Sequence, residues 1–181
     1  MTEPLPEDRT VKLRLEFDAG FAKPLAGTQD DGEQMLTIRA GEDLLALRLA
    51  GVAGTTLCPR LTLVPSRNPA LLGIGRVREA LVAVFSIATL LDGSDRPGNP
   101  GQRRAHRWLV LCAEDPSVAL AFDVLTGCLR ISPGQRTSVQ GQHGANSFDE
   151  VVEIDGTTRP VVSTRRLLAR IDALGSAGRE S

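Results

Sequence analysis

The chain has 181 residues, a formal net charge of -1, and aromatic side chains at only 3% of its positions. A near-neutral charge argues against a basic surface for nucleic acid, and a chain with one Trp and no Tyr has few side chains on which bases can stack. The length suffices for one domain with a hydrophobic core, which this composition makes largely aliphatic.

The two ends of the chain differ in composition from the rest. The start is polar and rich in Pro, without the basic region and apolar core of a signal peptide. Residues 11–22 have apolar positions at both strand and helix spacing, so their pattern does not distinguish a strand from a helix. We expect a partly disordered N-terminal extension over residues 1–32, a folded domain over 33–175 and a disordered tail over 176–181.

From Met35 onward the pattern favours short strands separated by turns. Residues 35–39 and 44–49 are predicted to form a hairpin around the turn 40–43. Loops are expected at 92–104, which is rich in Gly and Pro, and at 133–146, which is rich in Gly, Gln and Ser. Further strands are predicted at 52–57, 61–64, 108–113, 118–124, 128–131, 151–154 and 159–162.

The most apolar segment of the chain runs from Ala80 to Leu91 and directly follows the charged stretch Arg76–Glu79. Solvated strands alternate apolar with polar residues, so this run predicts a core strand that is buried on both faces and ends at Leu91. The run is too short to cross a bilayer, and we expect no direct membrane insertion.

The last element is predicted to be a helix. Ser163 or Thr164 can cap its start, and Gly175 can end it. Its apolar face comprises Leu167, Leu168, Ile171 and Leu174. Predicted strands greatly outnumber helices and recur about every ten residues, which favours small β-barrels over an α/β sheet.

No enzyme motif is complete. Gly73-Ile74-Gly75 begins like a dinucleotide-binding loop, but Arg78 occupies the third glycine position, and Asn99 stands where a P-loop requires Lys. His106 and His143 lack the cysteines or carboxylates that would complete a metal site. We expect no catalytic residue, no cofactor and no metal ion, and a small-molecule enzyme on a β-barrel scaffold is the competing hypothesis from another class.

The cysteines are three in number, widely spaced and surrounded by apolar residues: Cys58, Cys112 and Cys128. An odd number of cysteines without a CxxC pair predicts buried, reduced thiols and a cytoplasmic location.

The order of these elements resembles the CheW family of bacterial chemotaxis adaptors over about residues 33–174. The opening hairpin and its distance to Asn68-Pro69 fit the family without an insertion. The family signature of Gly, apolar, any residue, Asn, apolar, Arg, Gly and then an apolar strand is matched at Gly73, Ile74, Val77, Arg78 and 81–87. A further segment, 118–125 with Asp123, resembles the apolar-then-Asp-Val segment of the family, and 151–174 resembles its C-terminus.

Several signature positions depart from the family pattern. Arg76 replaces the usual Asn, Glu79 the usual Gly, Ala83 the Pro and Ser86 the Asp, while Gly54 stands where many members carry an acid. Glu79 in place of Gly indicates either that the turn needs no positive φ there or that Glu79 is strained.

The resemblance implies an all-β fold of two small five-stranded SH3-like β-barrels that share a hydrophobic core, with a short C-terminal helix. It also implies a non-catalytic adaptor that couples the cytoplasmic tip of a chemoreceptor to a CheA-type histidine kinase. The alternative is a diverged CheW-like accessory protein that binds only one of these partners or a different one.

The partner-binding residues that the resemblance implies are Arg78, Arg76, Glu79, Val52 and Thr55. Arg78 matches a family Arg near the partner surface, although an arginine there can equally order the turn through a salt bridge. Arg76 and Glu79 are expected to be exposed charges that tune partner choice, or else ordinary solvated charges.

Three neighbouring residues, Val52, Thr55 and Leu57, match a family region that faces a partner across an apolar patch. Leu57 is nevertheless expected to pack in the core. Asp123 is expected to pin a strand end by accepting hydrogen bonds from backbone N–H groups.

Overall fold

The computed structural model describes residues 32–92, 106–138 and 148–176. Within these ranges the first strands are β1 (Glu33–Ala40), β2 (Asp43–Arg48), β3 (Val52–Leu57), β4 (Leu71–Val77) and β5 (Ala80–Ser86), followed by helix α1 (Ile87–Asp92). The later elements are β6 (Trp108–Cys112), β7 (Val118–Phe122), β8 (Val124–Ile131), β9 (Arg136–Ser138), β10 (Phe148–Ile154), β11 (Thr157–Val162) and helix α2 (Thr164–Ser176). The predicted extension and tail lie outside these ranges except for Gly32 and Ser176, so their boundaries stay predictions.

The described strands form two mixed sheets, one of order β8-β1-β2-β11-β10-β9 and one of order β3-β6-β7-β5-β4. Each sheet contains one parallel pair, β2 with β11 and β5 with β7. The larger sheet has six strands instead of the expected five because Arg136–Ser138 pairs with β10 as a short edge strand. The chain is therefore mostly β, with a short C-terminal helix, and the described strands pair as open sheets.

One hydrophobic core lies between the two sheets. It combines side chains from both sheets and both helices: Leu36, Ile38, Leu45, Leu47, Ile87, Leu90, Val110, Leu120, Phe122, Leu167 and Ile171. One face of β1 and one face of β2 pack in this core, while Met35 and Ala46 on their opposite faces are buried in a second cluster. The two sheets consequently share a single core.

The apolar segment 80–91 is not one strand. Residues Ala80–Ser86 form β5, and the chain then turns into α1, where Ile87 and Leu90 are buried. The Ser86 hydroxyl accepts a hydrogen bond from the Thr89 backbone N–H at 3.3 Å, which satisfies a free donor of the first helical turn. The predicted single core strand was wrong because an uninterrupted apolar run fits a buried helix as well as a buried strand.

Other predicted elements agree more closely with the structure. The hairpin around residues 40–43 is confirmed, and α2 extends through Gly175 to Ser176 instead of ending at the glycine. Segment 61–64 contributes a single bridge between Thr62 and Ile74 instead of a strand.

The three cysteines all lie in the described part of the chain, and none is in a disulfide. Cys112 is buried and Cys58 is half-buried, whereas Cys128 is exposed. The expectation of burial was therefore wrong for Cys128, which lies on the edge strand β8.

The helices of the described ranges, α1 and α2, lack the length and apolar character that a membrane span requires.

Candidate functional site

The signature residues lie on the hairpin formed by β4 and β5. Arg76 is directly opposite Leu81, and Val77 is opposite Ala80. The turn consists of Arg78 and Glu79, so only part of the charged stretch lies in the turn and Arg76 belongs to the strand. Charged side chains therefore reach solvent from both the strand end and the turn.

The backbone of Arg78 is in the left-handed region, with φ 54. Residues other than Gly adopt this backbone conformation infrequently. Among the described residues, the positive-φ positions without Gly are Arg78 and Asp155, so Glu79 is not strained in this way. The unusual conformation thus falls one residue before the Glu that replaces the family Gly.

The side chains of Arg76 and Glu79 form an ion pair, with Nη2 and Oε2 3.1 Å apart. The Arg76 Nε also donates to the Arg78 carbonyl oxygen at 3.3 Å. Both side chains are largely exposed, 67% and 95%, so the pair contributes little to stability. It does fix where the Arg76 guanidinium lies, which is over the turn.

Arg78 itself is exposed and has no ion-pair partner within the described residues. The carboxylate nearest in sequence, that of Glu79, binds Arg76 instead. The alternative interpretation, in which Arg78 orders the turn through a salt bridge, therefore lacks a carboxylate partner within the described ranges.

Val52 and Thr55 lie on β3, at the opposite edge of the five-stranded sheet from β4. Val52 is half-buried and packs against the shared core, while Thr55 is exposed opposite Val110. The sheet order thus divides the five predicted partner-binding residues into two groups, one at each edge.

Leu57 also lies on β3, opposite Trp108, and is 64% exposed. The prediction that it packs in the core was wrong because it lies at the end of an edge strand, where half of its surroundings is solvent. Leu81, at 71% exposed, is a surface residue that the sequence pattern missed, since its apolar neighbours predict burial. Its place opposite an exposed Arg becomes visible only from the strand register.

Gly73 and Gly75 on β4 allow a neighbouring segment to pack closely against this strand. The segment after β3 crosses to β4, and the backbones of Thr62 and Ile74 exchange two hydrogen bonds of 2.8 and 2.9 Å. A Cβ on Gly73 would lie 2.5 Å from the Thr62 carbonyl oxygen, and one on Gly75 would lie 2.8 Å from Leu61 Cδ2. These glycines therefore let the crossing segment lie against β4.

Asp123 acts as predicted. Its Oδ2 accepts the Gly41 backbone N–H at 2.7 Å, and its own N–H donates to the Arg39 carbonyl oxygen at 3.0 Å. His106 Nδ1 lies 3.3 Å from Asp123 Oδ1, and burial lowers the pKa of His106 while the Asp123 carboxylate opposes that change. These contacts tie the β7–β8 connection to the β1–β2 turn and to the segment before β6.

A second polar cluster joins four strands of the six-stranded sheet. Arg48 forms ion pairs with Glu33 and Glu150, and Arg136 lies 3.0 Å from Glu33 and 3.9 Å from Glu150. Each of these charges faces two opposite charges from other strands of the same sheet, so the charges of the cluster balance one another. Within the described ranges, no three or more His, Cys, Asp or Glu residues converge to hold a metal ion.

A groove of about 410 Å³ lies between the segment before β4 and helix α2. Its lining is Ser66, Asn68, Leu71, Phe85, Ile171, Asp172 and Gly175. The Asn68 Oδ1 accepts a hydrogen bond from the Ala70 N–H at 3.0 Å, and the Asn68 Nδ2 donates to the Ile171 carbonyl oxygen at 3.4 Å. Asp172 is the ionisable residue among these lining side chains.

The family model for the CheW-like domain matches residues 34–172. The structure is similar to the crystal structure of the scaffolding protein TtCheW from Thermoanaerobacter tengcongensis, with a TM-score of 0.59 and 13% sequence identity over 72% of this chain and 88% of that one. No curated protein matches the chain.

The match to the family model covers most of the chain, including both sheets, the β4–β5 hairpin and the first part of α2, as far as Asp172. The similar structure has the same fold at low identity. The chain therefore belongs to the CheW-like domain family.

Proposed function

We propose that this protein is a non-catalytic chemotaxis adaptor in the cytoplasm, which couples the cytoplasmic tip of a chemoreceptor to a CheA-type histidine kinase. The observation that carries the proposal is Arg78, an exposed cation at the family's signature position without a carboxylate partner among the described residues. A strained backbone that presents an unpaired charge is typical of a binding position.

The SH3-like barrel form of each half belongs to the same proposal. In support, each sheet has a second apolar cluster besides the shared core. The six-stranded sheet buries Met35, Ala46, Ile131, Val152, Ile154 and Val161, and the five-stranded sheet buries Val77, Val82, Val84, Leu109, Ala119 and Ala121. A rolled sheet encloses one face and uses the other to pack on its neighbour. The matched range 34–172 supports the proposed domain limits of 33–175.

The adaptor function is tested by isothermal titration of the full chain with a receptor tip fragment and with the kinase's CheW-like domain, both from the same organism. We expect binding to each, with Arg78→Ala about tenfold weaker for at least one of them, since truncating an arginine at the centre of an interface typically costs more than 1 kcal/mol. Arg130→Ala is the matched control because Arg130 is an exposed arginine on β8 of the other sheet. Absence of binding to both fragments at tens of micromolar would contradict the proposal.

The Arg76–Glu79 ion pair favours a second candidate, a diverged CheW-like accessory protein. These two residues stand where the family resemblance leads one to expect Asn and Gly, so the charge around Arg78 differs from the usual pattern. Charge at the rim of an interface sets partner choice more than affinity. Binding to one fragment only, with Arg78→Ala reducing it, is the outcome that this candidate requires.

A further inference from the structure

Leu81 is the most exposed large apolar side chain among the described residues, at 71%. A single exposed leucine is ordinary on a protein surface. What distinguishes Leu81 is its neighbour across the hairpin, because it lies directly opposite Arg76. An apolar group and a guanidinium thus share one face of the β4–β5 hairpin.

The hydrogen-bond pattern places these two side chains close together. Ile74 directs both its N–H and its C=O to Thr62, on the side of β4 that faces away from β5. Backbone groups alternate along a strand, so Arg76 directs its own groups to that same side and forms a non-hydrogen-bonded pair with Leu81. In such pairs the Cα atoms are only about 4.5 Å apart and the side chains are closest. The aliphatic part of Arg76 therefore extends beside Leu81.

The charges of the β4–β5 turn and of the adjoining end of β4 are unequal. Two guanidinium groups, those of Arg76 and Arg78, stand against the single carboxylate of Glu79. Glu79 is already bound to Arg76 at 3.1 Å, which leaves the Arg78 guanidinium available to an anion. We call Arg76, Arg78, Glu79 and Leu81 the hairpin patch. Its complement is a surface with an apolar side chain next to a carboxylate.

We propose that the hairpin patch binds a carboxylate-bearing apolar segment of the partner protein, with Leu81 as the apolar anchor and the Arg76–Glu79 pair as the determinant of which charge is accepted. This inference rests on the proposed adaptor function and names the chemistry of the partner. An apolar centre with a charged rim is the usual anatomy of a protein interface.

The first test is titration of Leu81→Ala against the receptor tip fragment and the kinase fragment. We expect the Kd to rise about tenfold for the same partner whose binding falls in Arg78→Ala, as for a buried interface anchor. Leu129→Ala is the control, since Leu129 is an exposed leucine on the other sheet, and it should bind as the wild type does. Thermal unfolding of Leu81→Ala should match the wild type because the side chain is already in solvent.

The second test exchanges the charges of the pair in the double variant Arg76→Glu with Glu79→Arg. The exchange keeps the ion pair and the net charge but reverses their positions, so a purely internal role predicts unchanged binding. We expect the Kd for the same partner to rise at least about fivefold because the partner's carboxylate would now meet the negative charge introduced at position 76, and like charges across an interface oppose association.

The outcomes separate the two proposals. If the wild type binds neither fragment, the adaptor function fails and the hairpin patch fails with it. If the wild type binds and Arg78→Ala weakens that binding, but Leu81→Ala and the exchanged pair bind within twofold of the wild type, only the hairpin patch is overturned.

Discussion

The carboxylate of Asp123 accepts a hydrogen bond from the backbone N–H of Gly41 at 2.7 Å. Gly41 lies in the β1–β2 turn with φ 67, and Asp123 lies between β7 and β8, where the chain passes from the five-stranded to the six-stranded sheet. One acceptor thus ties a turn of one sheet to the connection between the two. The side chain is only 13% exposed, so water replaces this bond poorly.

Replacing Asp123 should destabilise the fold. Asp123→Ala leaves the Gly41 N–H without its acceptor, and we expect the free energy of unfolding to fall by about 1–3 kcal/mol. Asp123→Asn keeps a carbonyl oxygen in place and should lose less. Urea denaturation at pH 7 measures both values, and equal stability of Asp123→Ala and the wild type would contradict the role assigned to this bond.

His106 should make stability fall as the solution is acidified. Burial lowers its pKa in the folded protein below the ordinary value of 6.5, although the facing Asp123 carboxylate opposes this. As the pH falls through 6.5, the unfolded chain therefore takes up a proton before the folded protein does, which favours unfolding. The loss is complete once the pH lies below the folded-state pKa.

The measurement is the urea midpoint at intervals between about pH 7.5 and pH 5. His106→Gln removes this titration and should flatten the decline over that range. A wild-type curve with the same slope as the variant would rule out His106 as its source.

The three cysteines should differ in reactivity in a fixed order. Cys128 is exposed, burial raises the pKa of Cys58, and burial with the nearby Glu114 and Asp115 charges raises the pKa of Cys112 to about 12. Because the thiolate is the reactive form, a thiol reagent at pH 8 should modify Cys128 first and Cys112 only on unfolding. Mass spectrometry of the timed reaction identifies the sites, with Cys128→Ser as the control, and early modification of Cys112 would refute the order.

A methyl group should be tolerated at Gly54 but not at Gly51. A Cβ on Gly51 would lie 2.2 Å from the Thr164 Oγ1, whose hydroxyl donates to the Glu114 carboxylate at 3.3 Å. We expect Gly51→Ala to destabilise the protein by about 1–3 kcal/mol through overpacking.

Gly54 has no atom within 4 Å of the corresponding position. Gly54→Ala should therefore change stability by less than about 0.5 kcal/mol. Thermal unfolding compares the two variants. Similar midpoints would contradict the prediction, because they would show that Thr164 moves to accommodate the added methyl group without loss of stability.

The β1–β2 hairpin and helix α2 were predictable because each depends on residues that are close in sequence. The turn at 40–43 separates two short apolar strands, and Leu167 and Ile171 have the spacing of one helical face. The change from strand to helix after Ser86 was not predictable in the same way. An apolar segment can be buried either as a strand or as a helix, so the apolar character of Ile87 and Leu90 does not distinguish the two.

The candidate site was only partly predictable. The signature drew attention to Arg76, Arg78 and Glu79, and all three are exposed at the hairpin. The exposure of Leu57 and Leu81 was missed because an apolar residue predicts burial unless its position at a sheet edge or hairpin end is known.

The first hairpin, the last helix and the family resemblance could be inferred from sequence alone, since turn residues and helical spacing act over a few neighbouring positions. Which residues contact one another across the fold depends on the tertiary structure. Asp123 and Gly41 are 82 positions apart, and β3 and β4 come to lie at opposite edges of one sheet although they follow each other in the chain. Such contacts depend on how two sheets pack over a shared core, and the residue type at one position does not indicate which distant residue it will contact.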